Sequence, residues 1–361
     1  MREDQISKTP SKHAWLWLLA VLLSFGLLLP SFKVNAENQG VILQYHFIST
    51  ETPPVTSTSP ADFLRHMDYL ADNGFSILPL EELIDRVRSG ESVPDFSAAI
   101  SFDDGYLSVY TEAFPILQQR NWPFTVFVTT GLLESNPDLY ANWEQIREMA
   151  AAGATIANHT TTHPYFLERI TGESEAQWRE RIRNEILEAE EQIRQETGQS
   201  HHLLAYPYGE FDPTIQQLVS ELGFVGIAQH SGPFNSSSDF SALPRFPFSG
   251  IYVSINTFPN KVRSLAFTLD GISPLSPLTS ERSPSAILDF INTTTGLSQL
   301  ACYNNNESIQ VEVDNAAEAI FRVSTSVENR SRRFRYNCTA PGENGRYYWY
   351  SIPWINPAIA E

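Results

Sequence analysis

Two aspartates stand side by side at the end of an apolar run, Ala98-Ala99-Ile100-Ser101-Phe102-Asp103-Asp104-Gly105-Tyr106. A brief apolar run bounded by turn formers predicts a buried strand, here over 98–102. Neighbouring side chains on a strand point to opposite faces, so both carboxylates serve one site only if the chain turns at once, which Gly105 permits. Adjacent buried carboxylates repel unless a cation or a shared proton relieves them, and the pair therefore calls for a metal ion. Nitrogen ligands occur at Asn158-His159-Thr160-Thr161-Thr162-His163-Pro164, two histidines four residues apart on a tight loop or a single helical turn. One aspartate and two histidines make the three-ligand set of catalytic zinc, which keeps a position for water, whereas structural zinc usually closes with four protein ligands.

Ser101-Phe102-Asp103-Asp104-Gly105-Tyr106, then His159-Thr160-x-x-His163, then Ala205-Tyr206-Pro207-Tyr208-Gly209-Glu210 form an ordered series. The series resembles the polysaccharide deacetylases that share the NodB homology domain (carbohydrate esterase family 4), above all their poly-N-acetylglucosamine branch, over residues 40–250. The resemblance implies an α/β fold, a distorted (β/α) barrel with fewer than eight strands and its site at the C-terminal strand ends. It implies Asp104, His159 and His163 as ligands of a divalent metal, Zn2+ first, with Co2+, Ni2+ or Mn2+ as alternatives. Asp103 becomes the general base, and a backbone N–H near Tyr208 meets the oxyanion; the Tyr208 ring lines the acetyl pocket or packs under Gly209, and His46 forms a wall of the substrate cleft or is a hydrogen-bonded structural histidine. The implied reaction is hydrolysis of N-acetyl groups from an N-acetylglucosamine polymer, with release of acetate.

Two departures from the family pattern stand out. Ala205 occupies the position where many members carry an arginine that orients the base, and no histidine follows His230 to supply the usual general acid. His230 is the candidate acid and Arg245 the candidate for orienting Asp103; a surface-loop histidine and a structural arginine are the plainer readings of the two. The competing functional reading is an envelope protein that keeps the metal site and binds glycan without turnover.

The elements that must position these residues follow from the pattern. Apolar runs at 41–46, 124–128, 154–157, 203–206 and 224–228 read as buried strands, with helices between them started by Ser59-Pro60, Asn142, Ser174 and Asp212-Pro213. That alternation predicts a parallel sheet with crossover helices. A helix over 110–119 has to accommodate Pro115.

The rest of the chain sets the context. With 24 Lys+Arg against 42 Asp+Glu and a net charge of -18, the balance argues against an electrostatic nucleic-acid partner, and a neutral or cationic polymer is compatible. Residues 1–36 read as a signal peptide: Arg2, Lys8 and Lys12 precede an apolar run from Ala14 to Leu29, and Val34-Asn35-Ala36 offers cleavage. An uncleaved anchor is the alternative and would be the chain's one membrane contact. Either way the expected location is periplasmic, extracellular or envelope-associated.

Residues 37–263 are the expected deacetylase domain, 264–286 a Pro- and Ser-rich linker, and 287–361 a small antiparallel β-sandwich stapled by Cys302 and Cys338. Tyr347, Tyr348, Trp349, Tyr350 and Trp354 within it either stack on sugar or fill the sandwich core and the interdomain seam.

Overall fold

The computed structural model describes residues 38–291 and 296–360, so the expected signal peptide lies outside the described residues. The first sheet follows the chain: β1 (Gln39–Tyr45), β2 (Ser97–Phe102), β3 (Thr125–Val128), β4 (Thr155–Asn158), β5 (Leu203–Ala205) and β6 (Val225–Ile227) lie side by side in that order. All five pairings are parallel. Because helices cover the outer face, β2, β3 and β4 are buried at every position, which is why they read as unbroken apolar runs.

The helices between these strands are α1 (Pro60–Asp72), α2 (Leu80–Ser89), α3 (Phe114–Gln119), α4 (Trp143–Ala151), α5 (Glu175–Thr197) and α6 (Pro213–Glu221). The Ser59 hydroxyl accepts the Asp62 N–H at the start of α1, and Asn142 with Gln145 and Ser174 with Gln177 form reciprocal capping boxes on α4 and α5. Pro115 cannot donate a backbone N–H. Instead of one helix over 110–119, the chain makes a wide π turn at Val109–Ala113 and then enters α3 with Pro115 in its first turn.

Segment 243–247 closes the sheet. Leu243 bridges Ile227 of β6, while Phe246 pairs with Leu43 of β1, so the sheet curls into a distorted barrel. All the main strands then point their C-terminal ends the same way, and Asp103, His159 and Tyr206 each follow directly on such an end.

The remaining chain forms a second sheet of eight strands: β7 (Leu265–Ala266), β8 (Leu269–Ser273), β9 (Ala286–Phe290), β10 (Ala301–Asn304), β11 (Glu307–Asn315), β12 (Ile320–Ser324), β13 (Arg333–Pro341) and β14 (Tyr347–Ile355). Their order is β7-β14-β13-β10-β11-β12-β9-β8, antiparallel except for β7 on β14. The sheet is continuous, its two halves meeting through β11, and both halves contribute to one core around Leu288, Phe290, Phe321, Tyr336 and Trp354. Cys302 of β10 and Cys338 of β13 face each other and are disulfide-bonded.

The stretch 264–286 is more than a linker. It supplies β7, which pairs with the distant β14, and β8, which pairs with the next strand, β9. Along β14 the aromatic residues divide by parity: Tyr348, Tyr350 and Trp354 pack on the β core, whereas Trp349 packs on the barrel core against Phe246. Alternation across the strand therefore fills the core and the seam.

Candidate metal centre and active site

The turn after β2 begins at Asp104, whose φ of 73° and that of Gly105, 77°, lie in the left-handed region. This reversal sends the two carboxylates to neighbouring positions instead of to opposite faces of the strand. Asp103 is fully buried, and its oxygens receive a two-pronged guanidinium: Arg245 Nη1 donates to Oδ1 at 2.7 Å and Nη2 to Oδ2 at 2.8 Å. Gln44 Nε2 donates to Oδ2 at 2.8 Å, and His46 Nε2 lies 3.7 Å from the same oxygen. Arg245 is as buried as its partner and is fixed from behind, with Nε donating to the Ala228 carbonyl at 2.9 Å. Burial opposes ionisation of Asp103, but the charges of Arg245, His159 and His46 outweigh it and hold the carboxyl well below the usual range.

Asp104 faces the histidines. Its Oδ1 lies 3.3 Å from His159 Nε2 and 3.4 Å from His163 Nε2, and the two Nε2 atoms are 3.2 Å apart. The His159 Nδ1 lies 2.8 Å from the Ala205 carbonyl, an acceptor only, so Nδ1 carries a proton and Nε2 is the atom turned to Asp104; burial opposes a charge on the ring, but the Asp104 carboxylate outweighs it and raises the His159 pKa. Burial and the neighbouring His159 lower the pKa of His163 to about 4, which keeps that ring neutral near pH 7.

Three donor atoms of this kind converging so closely fit a cation. Ligands bonded at about 2.0–2.1 Å in a tetrahedron stand roughly 3.3 Å from one another, and the three separations here run from 3.2 to 3.4 Å. Among the described residues, Asp104, His159 and His163 form the group able to hold a metal ion.

Loops from other strand ends complete the surroundings. The histidine loop is tied to the end of β3, with Thr130 N–H donating to Thr160 O and Gly131 N–H to Thr161 O. Tyr208, at φ 57°, sets its ring edge-on to His163 with centroids 4.4 Å apart and stacks on Tyr165 at 3.8 Å. On the other side Tyr106 lies between Phe47 and Tyr140, with centroids 3.5 and 5.2 Å away.

Of the residues singled out in the sequence, Asp103, Asp104, His159, His163, Tyr208, His46 and Arg245 thus share one site. His230 lies elsewhere. It follows β6 and lines a cleft of about 290 Å³ between the barrel and the second sheet, together with Phe211, Trp349 and Trp354. Burial and the charge of Arg335 push its pKa down to about 3.

Gln44, Tyr165 and Glu210 are site neighbours to which the motifs assigned no part. Gln44 carries a sequence signal, as the one polar side chain in the apolar run 41–45.

Residues 90–227 match the family model described as polysaccharide deacetylase. The matched stretch holds Asp103, Asp104, His159, His163 and Tyr208. The chain is similar to the poly-beta-1,6-N-acetyl-D-glucosamine N-deacetylase of Escherichia coli (strain K12), 26% identical over 245 residues, 58% of this chain and 36% of that protein. The chain thus spans about a third of the length of that curated relative. Among solved structures, IcaB from Ammonifex degensii matches with a TM-score of 0.53 at 24% identity, over 63% of this chain and 97% of that one. The Streptococcus pyogenes deacetylase PplD in complex with acetate matches with a TM-score of 0.53 at 23% identity, over 59% and 93%. These two likenesses concern the fold.

Proposed function

We propose that the chain is a metal-dependent deacetylase that removes N-acetyl groups from an N-acetylglucosamine polymer and releases acetate. The observation that carries this reading is a fully buried, doubly held Asp103 beside the convergent Asp104, His159 and His163. The E. coli relative's name specifies the same chemistry for that protein.

Asp104, His159 and His163 would hold the metal, with Zn2+ the first candidate. A bound divalent ion supplies Lewis acidity and makes a nearby water acidic near neutral pH. The protein's own residues do the rest. Asp103, kept ionised by Arg245, accepts a proton from the attacking water, and its low basicity suffices only for a water already made acidic. Gln44 and Arg245 fix both of its oxygens, so its orientation is set before substrate arrives.

The sugar amine needs a proton as it leaves. His46, with a side chain 16% exposed and Nε2 3.7 Å from Asp103 Oδ2, is the imidazole we assign to that role. His230 carries no step in this scheme. Tyr208 borders the acetyl group, its ring against His163. The competing reading, binding without turnover, rested on an absent arginine and an absent acid, and Arg245 and His46 answer both.

We further place the protein outside the cytoplasm, on the strength of the basic and apolar leader at 1–36 and of a polymer substrate. The test is acetate release from β-1,6- and β-1,4-linked N-acetylglucosamine oligomers and from peptidoglycan, with Zn2+, Co2+ or Ni2+ added, for wild type and Asp103→Asn. Turnover by wild type with loss of at least about 100-fold in the variant supports the scheme. Polymer binding by both without acetate from either refutes it.

A further inference from the structure

We infer that the second sheet is part of the deacetylase site: Arg332 and Arg333 are positioning residues that act through Glu210 on Tyr208, and through its ring on His163. The inference rests on the metal-site reading above.

Glu210 ends the Pro207-Tyr208-Gly209 turn and is fully buried. An unpaired carboxylate there would cost several kcal/mol, and its partners come from the far end of the chain. Arg332 donates through Nε to Oε1 and through Nη2 to Oε2 at 2.9 Å, and Arg333 Nη1 donates to Oε1 at 2.9 Å. Arg332 is 3% exposed and is itself anchored by the carbonyls of Pro357 and Ile359, at 3.1 and 3.3 Å. The same guanidinium groups cover the aromatic pair: Arg332 Cζ lies 4.8 Å from the Tyr165 ring centroid, and Arg333 Cζ 5.2 Å from that of Tyr208.

Those two rings are parallel within 1°, and Tyr208 meets His163 edge-on at an interplanar angle of 67°. Tyr208 and His163 both hold left-handed backbone, φ 57° and 56°, a conformation that non-glycine residues keep only where surroundings enforce it. The arginines thus fix the turn on which Tyr208 sits, and Tyr208 fixes the face of a proposed metal ligand. Groups that orient metal-binding histidines are typically worth about 10- to 100-fold in metal affinity.

Arg333→Ala removes one donor and the cover on Tyr208 but leaves the Arg332–Glu210 pair, so the fold is expected to persist. Its Zn2+ dissociation constant, read by competition with a chromophoric chelator, should rise about 10-fold or more, while the thermal midpoint moves by less than about 3 °C. Arg333→Lys, which keeps the charge and loses the planar face, should fall between the two. Arg335→Ala serves as the comparison for sheet packing alone. On the same strand, it loses a 2.9 Å bond to the Gln229 carbonyl and the cover on the Tyr252 ring, while the bonds from Arg332 and Arg333 to Glu210 stay in place.

The inference is overturned if Arg333→Ala binds Zn2+ within about twofold of wild type, or if Arg335→Ala weakens binding equally. A wild type that takes up no Zn2+ would overturn the site reading and this inference together. A wild type that binds Zn2+ as tightly as Arg333→Ala overturns only the positioning role.

Discussion

Asp103 is a charge that the barrel interior tolerates only because Arg245 lies against it. Removing one member of such a pair usually costs about 3–5 kcal/mol, since the other is left buried and unpaired. Arg245→Met is therefore expected to lower the urea-derived unfolding free energy by about that amount, and Arg245→Met/Asp103→Asn should recover most of the loss. A double variant no better than the single one would mean that Arg245 stabilises by packing rather than by charge. His46→Gln makes a separate prediction. It should leave metal content unchanged and lower kcat by about 100-fold or more, the usual worth of a positioned proton donor. Loss of metal together with activity would place His46 among the ligands. The sequence displayed both aspartates and both histidines because each pair is close along the chain. The hold of Arg245 on Asp103 was harder to read, because 142 positions separate the two and only the barrel closure brings them together.

At the scale of elements, strand ends and caps were legible, and the joints between elements less so. Ser59, Asn142 and Ser174 announce helix starts through local bonds to residues three positions on, and local chemistry survives any tertiary context. Strand β7 has two residues and a partner 83 positions away, and β8 carries only Leu269 and Ile272 as apolar residues, so neither shows a strand pattern of its own. One joint bears directly on the site. Gly131 donates its N–H to Thr161 O at 2.9 Å, and a Cβ built there would come within 2.6 Å of that same carbonyl oxygen. Backbone cannot yield as a flexible side-chain tip does, so Gly131→Ala has to push the histidine loop away from β3. Thr161 lies between His159 and His163, and the displacement reaches both rings. The expected result is Zn2+ affinity reduced at least about 10-fold in a protein that still unfolds cooperatively. Unchanged affinity would mean that the loop shifts without carrying its histidines.

At the scale of the whole molecule, acid stability depends on a histidine remote from the proposed chemistry. His66 of α1 is fully buried, accepts the Tyr45 hydroxyl on Nδ1 at 3.0 Å, donates from Nε2 to the Val253 carbonyl at 2.8 Å, and stacks on Phe258 at 4.2 Å. Helix, barrel strand and the segment leading to the second sheet meet on this one neutral ring. Burial lowers its pKa from 6.5 to about 4, and the bond to Val253 offsets only part of that. Above pH 6.5 the ring is neutral whether the chain is folded or not, and it contributes no pH dependence. As pH falls from 6.5 towards 4, the unfolded chain takes up a proton that the folded one refuses, so stability drops; below 4 both forms are charged and the loss is complete. A shift of this size corresponds to about 3 kcal/mol. Urea midpoints measured from pH 7 to pH 4 should therefore decline more steeply for wild type than for His66→Asn, which has no proton to take up. Parallel declines would show that the acid sensitivity arises at other groups.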